Sequence, residues 1–134
     1  MPLFNWSEKF SVNVPEMDLQ HKKLVNLINF FHDEQLAHAD VNTLGKVLDE
    51  LLNYTKFHFK EEEELMKKSG YPFYATQKSE HDELVRNVLD MRKKYYTGDT
   101  SIATDIAILL NDWLAEHIMM EDKKYGPYVN SKGE

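Results

Sequence analysis

The chain has 134 residues, a net charge of −7 and no cysteine; that length suits one domain with its own packed core, and without thiols any metal must be held by nitrogen and oxygen. The acid excess argues against nucleic acid and anionic membrane surfaces as partners, because phosphate contacts need clustered Lys and Arg. No run approaches the roughly 18 apolar residues of a membrane span, and the opening MPLFNWSEKF has no basic-then-apolar pattern, so the expectation is a soluble cytoplasmic protein.

Residues 1 to 16 carry Pro2, Pro15, Phe4, Trp6 and Phe10 without helical period, which predicts an extended arm whose aromatics, Trp6 among them, anchor on the domain. From about Asp18 the pattern turns helical, with Met17, His21, Leu24, Ile28 and Phe31 at steps of 4, 3, 4 and 3: one buried stripe with a histidine in it. This helix should fade between His38 and Asp40, and Asn42 or Thr43 should cap the next.

The second helix repeats the rhythm through Leu44, Leu48, Leu51, Thr55, His58, Glu62 and Leu65, which turns His58 and Glu62 inward. The other members of the run Glu61 to Glu64 are expected on a solvated face. Ser69, Gly70 and Pro72 stop this helix. The third aligns Gln77, His81, Leu84, Val88, Met91 and Tyr95, and Thr97-Gly98-Asp99 ends it. The fourth opens near Asp99 to Ser101 and aligns Ile102, Ile106, Leu110, Trp113, His117 and Met120. Gly126-Pro127 should break the chain there, leaving a frayed end. The expected division is an arm over 1–16, a helical body over 17–125 and a tail over 126–134.

Four helices of roughly 18 to 28 residues with short connections predict an all-α, up-down-up-down antiparallel four-helix bundle with an extended N-terminal arm. In that topology the starts of odd helices and the ends of even ones lie together. His21, His58, Glu62, Gln77, His81 and His117 then fall in one layer. A histidine and a glutamate one turn apart are more often a solvated pair, and a single inward histidine is more often a satisfied core residue. Four inward histidines in one layer reverse that weighting, since each buried polar group without a partner costs about 1 to 3 kcal/mol. Nitrogen and oxygen donors without sulfur fit iron, manganese or zinc, and imidazoles with a bridging carboxylate suit a dinuclear centre. His32 and His38 fall outside the stripe and are assigned to the surface. Asp122 follows His117 by five residues, about 140° around an ideal helix, so periodicity does not bring it into the layer.

His21 within DLQHKKL, His58-x-x-x-Glu62, the pair Gln77 and His81, and His117-x-x-x-x-Asp122 followed by KKYGPY resemble the hemerythrin family, in its single-domain bacterial form, over nearly the whole chain. The ferritin-like alternative calls for two Glu-x-x-His pairs, which this sequence lacks. The resemblance implies a non-haem di-iron centre with a bridging oxo or hydroxo group, in which Glu62 and Asp122 bridge. His21 and His58 would hold the iron that binds dioxygen, and His81 and His117 the other.

The family pattern places a third histidine on the second iron, where this chain has Gln77. Its amide oxygen could coordinate, it could withdraw and leave water or hydroxide, or the iron could be lost. Leu24, Trp113 and Met120, one turn from the ligands, are expected to wall the dioxygen pocket, a role compatible with ordinary core packing. The function implied is reversible dioxygen binding for storage, delivery or sensing. The alternatives are a peroxidase or oxidase activity at the opened second iron and a metal-free helical interaction module. An oxygen-binding protein is expected ahead of an enzyme.

Overall fold

The computed structural model describes residues 3–99 and 101–132, so the expectations for Met1, Pro2, Thr100, Gly133 and Glu134 lie outside it. Four long helices form the body: α1 over Pro15–Leu36, α2 over Val41–Lys68, α3 over Tyr74–Tyr96 and α4 over Ile102–His117. A π-helical turn, Ile118–Asp122, and a last helix, α5 over Lys123–Lys132, continue from α4. Contacts run α1 to α2, α2 to α3, α3 to α4 and α4 back to α1. That ring is the four-helix bundle the stripes predict.

The arm is less extended than expected. A short 3-10 turn, Glu8–Phe10, folds it back, and Phe4, Trp6 and Phe10 pack ring to ring, with Phe10 centred 5.1 Å from Phe4 and 5.7 Å from Trp6. Two side chains of α1 hold the arm down. Asn29 accepts from Phe4 N at 2.8 Å and donates to Phe4 O at 2.9 Å, while Asp18 accepts from Ser11 Oγ and Val12 N.

Helix α1 starts at Pro15, ahead of the expected Asp18. A proline is tolerated at the first helical position because its missing N–H would have had no partner there. Asp40, not Asn42 or Thr43, caps α2, its carboxylate accepting from Thr43 N at 2.8 Å. The stop after α2 is as expected. Gly70 takes φ +67°, the left-handed conformation that lets Tyr71 N reach back to Met66 O at 3.0 Å and close the helix end.

The end of the chain departs most from expectation. Gly126 and Pro127 lie inside α5, which runs to Lys132, so no break or frayed tail begins at 126. Proline in a helix costs one rung of the ladder, and tertiary packing outweighs that cost. Tyr125 is fully buried, and Gly126 lies so close to the arm that a β-carbon there would run into the Val12 carbonyl oxygen. Asn130 Nδ2 also donates to Asn13 O at 3.1 Å. Helix α5 and the arm thus cover one end of the bundle together.

Candidate metal centre

The buried stripes of the four helices deliver His21, His58, Glu62, Gln77, His81 and His117 to one end of the bundle, all at least nine-tenths buried. Asp122 joins them. In a π turn the hydrogen bond reaches back five residues, so about 4.4 residues complete a turn and position i+5 moves toward the face of i. Lys123 N accordingly bonds to Ile118 O, and Asp122 faces the layer, with its Oδ1 3.2 Å from His117 Nε2. The five-residue step that ideal periodicity could not accommodate is accommodated by this local widening.

Two donor groups result, one of His21, His58 and Glu62 and one of Glu62, His81, His117 and Asp122, with the ligating atoms of each within 4.8 Å of one another. Glu62 belongs to both. Its Oε2 lies 3.2 Å from His21 Nε2 and 3.5 Å from His58 Nε2, and its Oε1 lies 3.2 Å from His81 Nε2. Asp122 spans the groups in the same way, with Oδ2 3.3 Å from His21 Nε2 and Oδ1 toward His117.

The opposite ring nitrogens show why Nε2 faces inward. His58 Nδ1 donates to Gln20 Oε1 at 2.7 Å, and His81 Nδ1 donates to Glu63 Oε2 at 2.9 Å. His117 Nδ1 lies 3.1 Å from Glu80 Oε2. Amide and carboxylate oxygens accept, so these partners hold a proton on Nδ1 and make Nε2 the atom that meets a cation. Ring packing fixes orientation as well: Phe59 stacks on His81 at 3.8 Å and Trp113 on His117 at 4.2 Å.

Glu63 therefore does not belong to the solvated face expected for it. Gln20, Glu63, Glu80 and Tyr125 also contact the layer, and sequence reasoning missed them. Each acts across a helix–helix interface, so no spacing within its own helix marks it. Tyr125 OH donates to Glu62 Oε2 at 2.6 Å. Burial raises its phenol well above the ordinary value, and the Glu62 and Asp122 charges add to the shift.

Charge in the layer calls for a cation. Burial opposes protonation of His21, but hydrogen bonds to Asp122 and Glu62 outweigh it and raise its pKa to about 10. For His81, burial is likewise overcome by hydrogen bonds to Glu62 and Glu63, and the value rises to about 9. His58 is lowered, with burial prevailing over Glu62. Burial works to raise Glu62, yet His58 and the hydrogen bonds from His21, His58 and His81 hold it well below the carboxylate range. These shifts express two buried carboxylates drawing positive charge toward themselves.

The donor set fits a pair of transition-metal ions. His81 Nε2 and His117 Nε2 stand 3.2 Å apart, within hydrogen-bond reach, with both Nδ1 atoms engaged by Glu63 and Glu80, so a metal ion can take the place of the protons these inward nitrogens bind. Glu62 Oε1 faces His81 Nε2 at 3.2 Å and is placed to meet a cation with it, while Gln77 Oε1 is buried without a hydrogen-bond partner.

Gln77 presents its amide nitrogen to Asp122, donating to Oδ1 at 3.1 Å. Leu24 and Trp113 line an apolar cavity beside the layer together with Ile28, Phe59, Leu110 and Leu114. Met120 does not join them. The π turn that brings Asp122 inward turns Met120 outward, where it is 58 % exposed and borders an open cleft with Glu80, Glu116, His117 and Glu121. His38 is exposed, whereas His32 is half-buried.

Residues 12–129 match the family model described as the hemerythrin HHE cation binding domain. The chain is 39% identical over 132 residues to the bacteriohemerythrin of Methylococcus capsulatus, covering 98% of this chain and 100% of that protein. It is 34% identical to the hemerythrin-like protein of Naegleria gruberi, covering 91% and 90%. The crystal structure of a wild-type hemerythrin superposes with a TM-score of 0.88 at 39% identity, over 95% of this chain and 98% of that one.

Proposed function

The chain belongs to the hemerythrin HHE cation-binding family, and from that premise we propose that it is a non-haem di-iron protein that binds dioxygen reversibly, for storage, delivery or sensing. The observation that carries this reading is the shared layer: Glu62 and Asp122 each face both histidine groups. His21 and His58 would hold one iron, His81 and His117 the other, and the two carboxylates would bridge them. When bound, the irons would supply the electrons that hold dioxygen and would take them back on its release.

The protein's own residues do the rest. Gln20, Glu63 and Glu80 hold the Nδ1 protons and keep the imidazoles aimed. Tyr125 donates to Glu62 Oε2 and fixes that carboxylate's rotation. Leu24 and Trp113 with their apolar neighbours keep water from the face of the layer they border, which limits loss of reduced oxygen species to solvent. A cytoplasmic place of work belongs to the same proposal; among the described residues no helix is long and apolar enough to cross a membrane.

Gln77 is read as an outer hydrogen-bond donor to Asp122, leaving His81, His117, Glu62 and Asp122 on the second iron. An iron with fewer protein ligands favours a second reading, reduction of peroxide, and the open cleft bordered by His117 adds support for it. Metal analysis and optical spectra test the proposal. About two irons per chain, with a charge-transfer band that forms in air from the anaerobically reduced protein and fades under argon, are expected. Protein free of iron after loading overturns the site; a band that never reverses, with turnover of peroxide and a reducing dye, decides for the second reading.

A further inference from the structure

Between Lys94 and Lys123 the sequence has no Lys or Arg, yet it carries Asp99, Asp105, Asp112, Glu116, Glu121 and Asp122. The other three long helices mix both signs of charge. Helix α4 fills most of this stretch, and Asp105, Ile108, Asp112 and Glu116 form its exposed stripe, continued by Met119 and Met120 in the π turn. A surface cleft runs beside the stripe. Ile108, Leu109 and Trp113 line it together with Asp105, Asp112 and Glu116. Past Trp113 and Glu116 it continues to Met120 and Glu121, with Glu80 of α3 on the other side. From Ile108 to Met120 the distance along the helix is about 18 Å.

Apolar side chains rimmed by charge on an open surface suit a binding partner. Ile108 is 46% and Met120 58% exposed, so each leaves apolar area in water. Among the described residues, the ion pairs of lysine and arginine lie at Lys78 with Asp82, Arg92 with Asp49 and Lys124 with Glu121. Asp105, Asp112 and Glu116 therefore have no basic partner within the chain. A second copy of this face would set the same carboxylates against one another, and an anionic membrane or a nucleic acid would be repelled by them. The charge of the cleft selects a cationic occupant.

We propose that this cleft is the docking site for a basic amphipathic helix of a partner protein. Its apolar side chains seat on Ile108, Leu109, Trp113 and Met120, and its lysines or arginines meet Asp105, Asp112 and Glu116. The length along α4 matches about three turns of a partner helix, and apolar anchors one turn apart are what a helix laid in a groove presents. Trp113 stacks on His117 with ring centres 4.2 Å apart. A helix docked here lies one ring from the buried layer and covers the cleft that His117 borders. The docking surface does not depend on which metal the layer holds.

The test is fluorescence anisotropy of a labelled helical peptide of about 18 residues, with leucines along one face and lysines around them, titrated with the full-length protein as purified. Saturable binding at about 0.1 M salt that weakens at about 1 M is expected. Asp105→Asn combined with Asp112→Asn should weaken it about fivefold. Glu50→Gln combined with Glu64→Gln, the same change of charge on α2, should weaken it less than about twofold. Ile108→Ser should weaken it about fivefold at low salt and leave its salt dependence in place. Equal losses from the two charge pairs would assign binding to overall charge and overturn the proposal, as would full binding by Ile108→Ser or no binding by the unaltered protein. Sedimentation velocity covers the remaining occupant: a dimer that Ile108→Ser disperses gives the face to a second copy and overturns the proposal as well.

Discussion

Replacing Gln77 by histidine exchanges an amide that donates to Asp122 at 3.1 Å for an imidazole whose lone pair is available to a metal. Position 77 is fully buried and one turn before His81, so a histidine there faces the same layer. A stronger donor on the second iron leaves less room for solvent or peroxide. Gln77→His is therefore expected to lengthen the life of the oxygenated form by about tenfold, the lower end of what changes around a metal centre produce. It should also reduce peroxide turnover in step. Stopped-flow decay of the oxygenated band measures the first effect, and equal lifetimes in the two proteins would sink the argument.

At the scale of elements, the π turn and the helix after it set the geometry of Asp122 and Tyr125, and α5 is fixed by its approach to the arm. Gly126→Ala places a methyl group against the Val12 carbonyl oxygen, which is backbone and has little freedom to give way. The arm or α5 must shift, and a loss of about 1 to 3 kcal/mol in urea unfolding is expected. Unchanged stability would mean that this close approach is not a feature of the folded protein. The same segment shows where the sequence stops being legible. His58 and Glu62 announce themselves because a four-residue step keeps one face of an ordinary helix, and so do His21, His81 and His117 on their apolar stripes. Asp122 became readable only through the family resemblance, since its five-residue step needs a π turn that no periodicity predicts. Gly126-Pro127 has the chemistry of a stop signal, yet the burial of Tyr125 and the contact with the arm carry the helix through it. Gln20, Glu63 and Glu80 were hidden for a different reason: each meets its histidine across two helices, and a pairing between helices leaves no mark on the spacing within one.

At the scale of the molecule, the layer couples folding to protons as well as to metal. His21 and His81, raised to about 10 and about 9 from an ordinary 6.5, bind protons more tightly folded than unfolded. Without metal, their contribution to stability is fully present below about pH 6.5 and is lost as pH rises through 9 to 10. Glu62 and Asp122, both lowered, contribute stability above the ordinary carboxylate range that disappears as pH falls through their folded values. His58, lowered by burial, works against the fold below its ordinary pKa. The layer of the metal-free protein thus contributes most in mildly acidic to neutral solution and loses its effect toward pH 10. Metal ions supply the same positive charge and displace these protons on binding. Thermal unfolding from pH 6 to 10 should then show a melting temperature that declines in the metal-free protein and holds nearly level in the loaded one, with protons released on loading at pH 8. A metal-free melting temperature that stays level across this range would show that the imidazoles carry no such charge, and the electrostatic case for a cation in the layer would fall with it.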